Sequence, residues 1–253
     1  MRAKPLYIAL SPSTYCNASC VMCDHWTRPR EELPESVWDE LPTFLPTLAH
    51  LTLLGGEPMA NPRVISLLGD AGLDKYPSLR IDLVTNGSLF SDRMLQRIRK
   101  VALGCVTVSV NAGNAEAYEK IQGTLRFQDI LHNLDALVRF RCSHPRWFGV
   151  TVSCVVQPPV ASSLVQFGEI ALARNVDIRL LPLMVKPFSE LDFYQSTEQV
   201  ADVIDALDRF ASFAEAKKPE WLVEIGTTKR QVQALHAARV GACATPPQGW
   251  PPP

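Results

Sequence analysis

No stretch of this 253-residue chain approaches the roughly 20 consecutive apolar residues that a membrane-spanning helix requires. Neither sign of charge is in excess. With 25 basic residues against 26 acidic ones, no field of one sign points to nucleic acid or to an anionic membrane surface. The amino end, MRAKPLYIALSPS, has a short apolar run broken by polar and proline positions and lacks a small-residue cleavage site, so it reads as the first strand of a cytoplasmic protein. A disulfide framework is also missing: seven cysteines is an odd number, and three of them crowd together. There is no internal repeat beyond an alternation of strands and helices.

The three crowded cysteines are Cys16, Cys20 and Cys23, in the order Cys-x3-Cys-x2-Cys, and no fourth follows until Cys105. A four-iron cubane takes four ligands, so three thiolates leave one iron with an open position for a substrate or cofactor. Zinc is the competing reading, since Cys16, Cys20, Cys23 and His25 offer four ligands of suitable softness. His25 lies only two residues after Cys23, closer than common structural zinc sites allow. Cys105, Cys142, Cys154 and Cys243 are scattered, and a lone cysteine on a strand behaves as a small hydrophobe.

Short apolar runs alternate with helix-period segments, the pattern of βα units around a parallel sheet. Strands are predicted at Leu6–Leu10, Leu51–Leu54, Leu79–Val84, Cys105–Val110, Gly149–Val156 and Ile178–Leu183. Between them, sets such as Met94, Leu95, Ile98 and Val101 place one apolar stripe on a helix. Glu35–Leu48 carries such a stripe but contains Pro42 and Pro46, which predicts a broken helix. A long helix is predicted from Val200 to Phe213, then a short strand at Leu222–Ile225 and a last helix at Thr228–Arg239. From Thr245 onward, five prolines in nine residues predict an extended or disordered tail.

The fold class is therefore α/β: a partial (β/α)6 barrel of the TIM type with a parallel sheet and a C-terminal helical and proline-rich extension. The expected organisation is a core over residues 1–185, a helical segment over 186–244 packing on it, and a tail over 245–253. The suggestive residues fall at the carboxyl ends of strands. The cysteine triad follows the first strand, Gly55-Gly56-Glu57-Pro58 the second and Thr85-Asn86-Gly87 the third, while Ser109 and Asn111 end the fourth. Two glycines after a strand let backbone groups approach a ligand without obstruction by Cβ, and Pro58 stiffens the turn. The Glu57 carboxylate and backbone carbonyls suit a cationic amine, while Ser109 and Asn111 suit a carboxylate or ribose hydroxyls.

CNASCVMC, then GGEP, then TNG, spaced along βα units, resembles the radical S-adenosylmethionine (radical SAM) superfamily over roughly residues 6 to 185. The resemblance implies one 4Fe-4S cluster held by Cys16, Cys20 and Cys23, with SAM chelating the open iron. It further implies that the turn of Gly55, Gly56, Glu57 and Pro58 receives the SAM amino group, that Ser109 and Asn111 contact SAM, and that Asn86 supports the site. The implied activity is reductive cleavage of SAM to a 5′-deoxyadenosyl radical that abstracts hydrogen from a substrate. A low-potential flavodoxin or ferredoxin is the implied electron donor. Two positions depart from the family pattern: Met22 stands where an aromatic is frequent, and Asn111 where an acid is frequent.

The spacing looks most like the branch with SPASM or twitch extensions, yet only Cys243 is present where auxiliary clusters would need several ligands. Peptide modification is the first expectation for the reaction, with small-molecule biosynthesis on a sugar or natural product as the alternative. Only about five residues precede the first strand, which weighs against a peptide-recognition domain there. A non-catalytic iron–sulfur protein that carries electrons or binds a partner is the reading from a different class. No residue of this chain is singled out as the catalytic group. Cys154 and Gln157 are expected to point toward the rim, Leu180 to Met184 are expected to wall an adenine, and closing the turn by Gly56→Val is expected to weaken SAM binding while sparing the cluster.

Overall fold

Six short apolar runs become six parallel strands in one sheet, in the order β1 to β6: Tyr7–Leu10, His50–Leu53, Arg80–Thr85, Leu103–Ser109, Gly149–Val156 and Asp177–Pro182. The computed structural model describes residues 4–70, 72–187 and 189–243. Each strand lies within two residues of its predicted position, because the apolar alternation that marks a strand also fixes which side chains are buried. Leu51, Leu53, Ile81, Leu83, Val106 and Val108 are among the most buried residues. The opposite, concave face of the sheet is more open, with Tyr7, Val84 and Leu181 exposed.

Helices α1 (Glu35–Glu40), α2 (Pro62–Asp70), α3 (Asp92–Arg97), α4 (Ala115–Gln122), α5 (Phe127–Ser143), α6 (Pro158–Ala161) and α7 (Leu164–Ala173) connect the strands. Ser91 and Asn114 cap α3 and α4 by accepting from the N–H groups of Met94 and Ala117. The predicted break in the first helix is present: α1 stops at Glu40 and tightens into a 3-10 turn over Leu41–Thr43, since Pro42 cannot continue an α-helical ladder.

The carboxyl end differs from expectation. After α8 (Thr197–Lys217), residues Leu222–Ile225 do not form a strand but open a continuous helix, α9 (Leu222–Cys243). Trp221, Ile225 and Val232 are all buried and recur at helical intervals, and this stripe outweighs a four-residue apolar run. α8 packs on α6 and α7, and α9 packs on α8 and against β6. The proline-rich tail lies outside the described residues.

Register aligns the carboxyl ends. Leu10 pairs with Leu53, Leu53 with Leu83, Thr85 with Val108, Ser109 with Ser153, and Val156 with Pro182. The segments that follow β1 to β5 therefore emerge on one rim. Among the described residues, no helix is long and apolar enough to cross a membrane.

Candidate active site

The chain leaves β1 at Leu10, runs through the three cysteines and returns beside its own exit. Leu33 N donates to Pro12 O at 3.0 Å, Thr14 N donates to Glu31 O at 3.0 Å, and Ser13 bridges Glu32 in antiparallel fashion. Within the loop, Cys23 N donates to Cys20 O at 3.1 Å, and the Trp26 indole donates to the same carbonyl at 3.0 Å. These bonds close the loop at its base and fix its tip.

The turn after β2 presses on one side of the loop. Gly56 N donates to Ser13 O at 3.0 Å and Glu57 N to Tyr15 O at 2.8 Å. A Cβ at Gly56 would stand 2.0 Å from Tyr15 O, and one at Gly55, whose φ is +113°, 2.2 Å from Ser11 Oγ. The glycines therefore permit two backbones to meet. The expectation that Gly56→Val would spare the cysteines is corrected, because its side chain would strike the loop that carries them. The N–H groups of Gly56 and Glu57 are thus engaged, while among the described residues the carbonyl oxygens of Gly55 and Gly56 accept no hydrogen bond.

On the far side, the end of α4 supports the loop, a role the sequence did not reveal. Val21 N donates to Ile121 O at 2.9 Å, Thr124 Oγ1 to Asn17 O at 3.2 Å, and Gly123 lies against Ser19 with no room for a Cβ. The Cys20 thiol donates to the fully buried Gln122 at 2.7 Å. Asn86 reaches in from β3, its Nδ2 donating to Asn17 Oδ1 at 2.9 Å and lying 3.9 Å from Cys16 Sγ.

The three thiols face one cavity of about 250 Å3, together with Gly55, Gly56, Asn86, Ser109, Asn111 and also Gln122. Glu57 and Pro58, predicted as ligand contacts, are not among its lining residues. The Glu57 carboxylate is buried and accepts three hydrogen bonds, from Met59 N at 2.9 Å, Thr85 Oγ1 at 2.7 Å and Asn86 N at 2.7 Å. Burial pushes its pKa up, and these donors pull it back. Pro58 is buried as the first residue of a 3-10 turn capped by Glu57. Asn111 adopts φ 59°, and its side-chain oxygen accepts from Val155 N at 3.0 Å. Ser109 Oγ lies 3.5 Å from Ser153 Oγ.

Cys154 is fully buried and donates to Asn111 O at 3.2 Å, and Gln157 is buried too, so neither reaches the rim as expected. A second, more apolar cavity of about 300 Å3 is lined by Leu181, Pro182, Leu183 and Met184. It shares Met22 and Val155 with the first. Leu180 itself is buried outside it.

Burial, followed by the neighbouring Cys16 and Cys23, pushes the Cys20 thiol up to about 12, and burial also raises Cys16. Metal uptake must therefore displace protons. Among the described residues, no three His, Cys, Asp or Glu side chains converge on a point that would hold a single ion. Three cysteines line one cavity, and their donor set is the all-thiolate type that iron–sulfur clusters take. No Lys, Arg, Asp or Glu lines the cavity among the described residues, and besides the cysteines its polar lining comes from the amides of Asn86, Asn111 and Gln122, the hydroxyls of Thr85 and Ser109, and His25.

An open parallel α/β barrel with a cysteine triad at its carboxyl rim defines a cofactor-dependent barrel protein. The radical SAM superfamily model matches residues 10–159, more than half of the chain, and the protein belongs to that superfamily. An AdoMet-dependent heme synthase of Methanosarcina barkeri is 30% identical over 131 residues, covering 49% of this chain and 36% of that protein. A GTP 3′,8-cyclase of Pectobacterium atrosepticum is 26% identical over 190 residues, covering 70% and 55%. The structure of Streptococcus suis SuiB bound to S-adenosylmethionine superposes with a TM-score of 0.65 at 14% identity, covering 85% of this chain and 49% of that one, a likeness of fold alone. The chain thus spans about half or less of the length of these proteins.

Proposed function

We propose that this protein is a radical SAM enzyme in which Cys16, Cys20 and Cys23 hold one 4Fe-4S cluster and Gly55, Gly56, Ser109 and Asn111 receive SAM. One observation carries the reading: the three cysteines line the same cavity as Gly55 and Gly56, whose carbonyl oxygens accept no hydrogen bond among the described residues. A cluster held by Cys16, Cys20 and Cys23, with SAM beside it, would supply reductive cleavage of SAM and hydrogen abstraction from a substrate. The chain's own groups bind and orient. The Gly55 and Gly56 carbonyls would accept from the ammonium of SAM, and Ser109 and Asn111 would offer polar atoms to its other groups. Asn86 and Glu57 act indirectly, Asn86 by holding Asn17 and Glu57 by fixing the strand ends around the site. Met22, Val155 and Leu181 line the neighbouring apolar cavity and would offer a substrate an apolar surface there.

A low-potential flavodoxin or ferredoxin is the proposed source of the electron. For the substrate, the sequence relatives favour a small molecule over a peptide, since their names specify heme synthesis and GTP cyclisation. Peptide modification is the second reading. It is favoured by the fold shared with SuiB, which has also been solved with its precursor peptide SuiA.

The test is anaerobic reconstitution with iron and sulfide, reduction with dithionite, and chromatography of the SAM products. About four irons per chain and release of 5′-deoxyadenosine are expected. Stoichiometric zinc in place of iron, or a cluster that leaves SAM intact, would overturn the proposal. Fractions of small metabolites and of short peptides, added separately, should differ in how far they accelerate that release.

A further inference from the structure

Gln122 is an unusual residue to find fully buried at the end of a helix and facing three cysteines. Its Oε1 accepts the Cys20 thiol at 2.7 Å, while its Nε2 is buried and has no partner. An unpaired amide N–H2 out of reach of water bears its full desolvation penalty, so the arrangement suits a thiol poorly. It suits a thiolate well. A cysteine that ligates iron carries no proton to donate, and Oε1 would then face a negative sulfur. Rotating the amide by half a turn brings Nε2 to the position of Oε1, where it donates to the sulfur. The carbonyl oxygen moves into the unpaired slot, where missing a partner costs less than it does for N–H.

Resting on the cluster reading above, we infer that Gln122 is a positioning residue that donates an N–H···S hydrogen bond to the Cys20 ligand and raises the reduction potential of the cluster. The bond strengthens as the sulfur gains charge, so it favours the state that has accepted the electron. The backbone supports the assignment. Val21 N bonds Ile121 O at 2.9 Å, and Gly123 touches Ser19, so the amide and the sulfur cannot drift apart without breaking the junction between α4 and the loop.

Gln122→Met, close in volume and without a donor, should retain its iron yet lower the reduced-to-oxidised ratio roughly tenfold at a fixed potential, a shift of ~59 mV for a one-electron couple. Redox titration followed by electron paramagnetic resonance reads this without SAM turnover. Wild-type protein grown with 15N-glutamine gives a second reading should the variant fold poorly. Its reduced cluster should show a weak 15N coupling that unlabelled protein lacks. An unchanged potential in a cluster-bearing variant, or no 15N coupling in the wild type, would overturn this inference alone. Wild-type protein that assembles no cluster would overturn both readings.

Discussion

Cys20 and Gly56 make opposite demands on the same loop: one must offer a sulfur and the other must offer nothing at all. Replacing Cys20 by serine removes one of three thiolates while leaving the core under the sheet untouched, since Cys20 is only half-buried and lies outside that core. We expect Cys20→Ser to lose bound iron and sulfide and to release no 5′-deoxyadenosine, with an unchanged circular dichroism spectrum. Full iron content in this variant would remove Cys20 from the ligand set. Gly56→Ala is the more revealing change. The single added carbon would stand 2.0 Å from the Tyr15 carbonyl, a backbone atom that cannot swing aside. The turn or the cysteine loop must shift, at a cost of about 1–3 kcal/mol. Denaturant titration should read that loss, and iron retention and SAM binding should fall together. A variant that keeps its cluster and loses only SAM affinity would restore the simpler view, in which the turn serves the ligand alone.

At the level of elements, the cysteine loop is held between two supports, and only one of them is written in local sequence. Gly55-Gly56-Glu57-Pro58 declares itself as a turn after a strand, as does Asn86-Gly87 after the next. The second support, the end of α4, is marked only by Gly123, which stops the helix at φ +65° and presents its bare face to Ser19. Gly123→Ala should destabilise the fold by ~1–3 kcal/mol through backbone strain alone. Because its Cβ would stand 2.3 Å from Ser19 Oγ and 2.7 Å from Ser19 O, reconstitution should also yield less iron per chain. Equal stability by thermal denaturation and equal iron content would show that α4 does not brace the loop. The same contrast explains what sequence reading reaches. Strand positions, the proline break after α1 and the gathering of cysteine, glycine and asparagine residues around one cavity at the rim follow from local pattern. The partnership of Cys20 with Gln122 spans 102 positions, and nothing near either residue signals it. Glu57 misleads for a related reason: a carboxylate in a functional motif reads as a ligand group, yet three local donors claim it. Leu222–Ile225 reads as a strand because four apolar-rich residues are too few to display a helical period.

Taken as a whole, the open barrel has two sheet edges, at β1 and β6, and the β6 edge is covered by the carboxyl-terminal helix. Along β6 the outward-facing groups of Leu180 are taken by α9: Leu180 N donates to Glu224 Oε1 at 2.8 Å, and Thr228 Oγ1 donates to Leu180 O at 3.2 Å. Pro182 has no N–H to leave unpaired at the same edge. A sheet edge covered in this way cannot template pairing with another chain. The far end of α9 is fastened by His236, hydrogen-bonded to Tyr194 O at 2.7 Å, and by Arg239, whose Nε lies 2.9 Å from a carboxylate oxygen of Asp192. The Asp192 side chain is 0% exposed and that of Arg239 only 15%. Breaking a buried pair by removing one partner costs about 3–5 kcal/mol, because the remaining charge stays out of water. Arg239→Ala should therefore lower unfolding stability by roughly 3 kcal/mol and loosen α9 from β6. The i,i+4 pair of Arg209 with Asp205 on α8 offers the internal comparison, since both side chains are more than half exposed. Arg209→Ala should cost no more than about 0.5 kcal/mol. Urea denaturation of the two variants against the wild type measures both, and amide hydrogen exchange at Leu180 locates the difference. If the two substitutions cost the same, or if exchange at Leu180 is unaltered in Arg239→Ala, then α9 is not what seals this edge of the barrel.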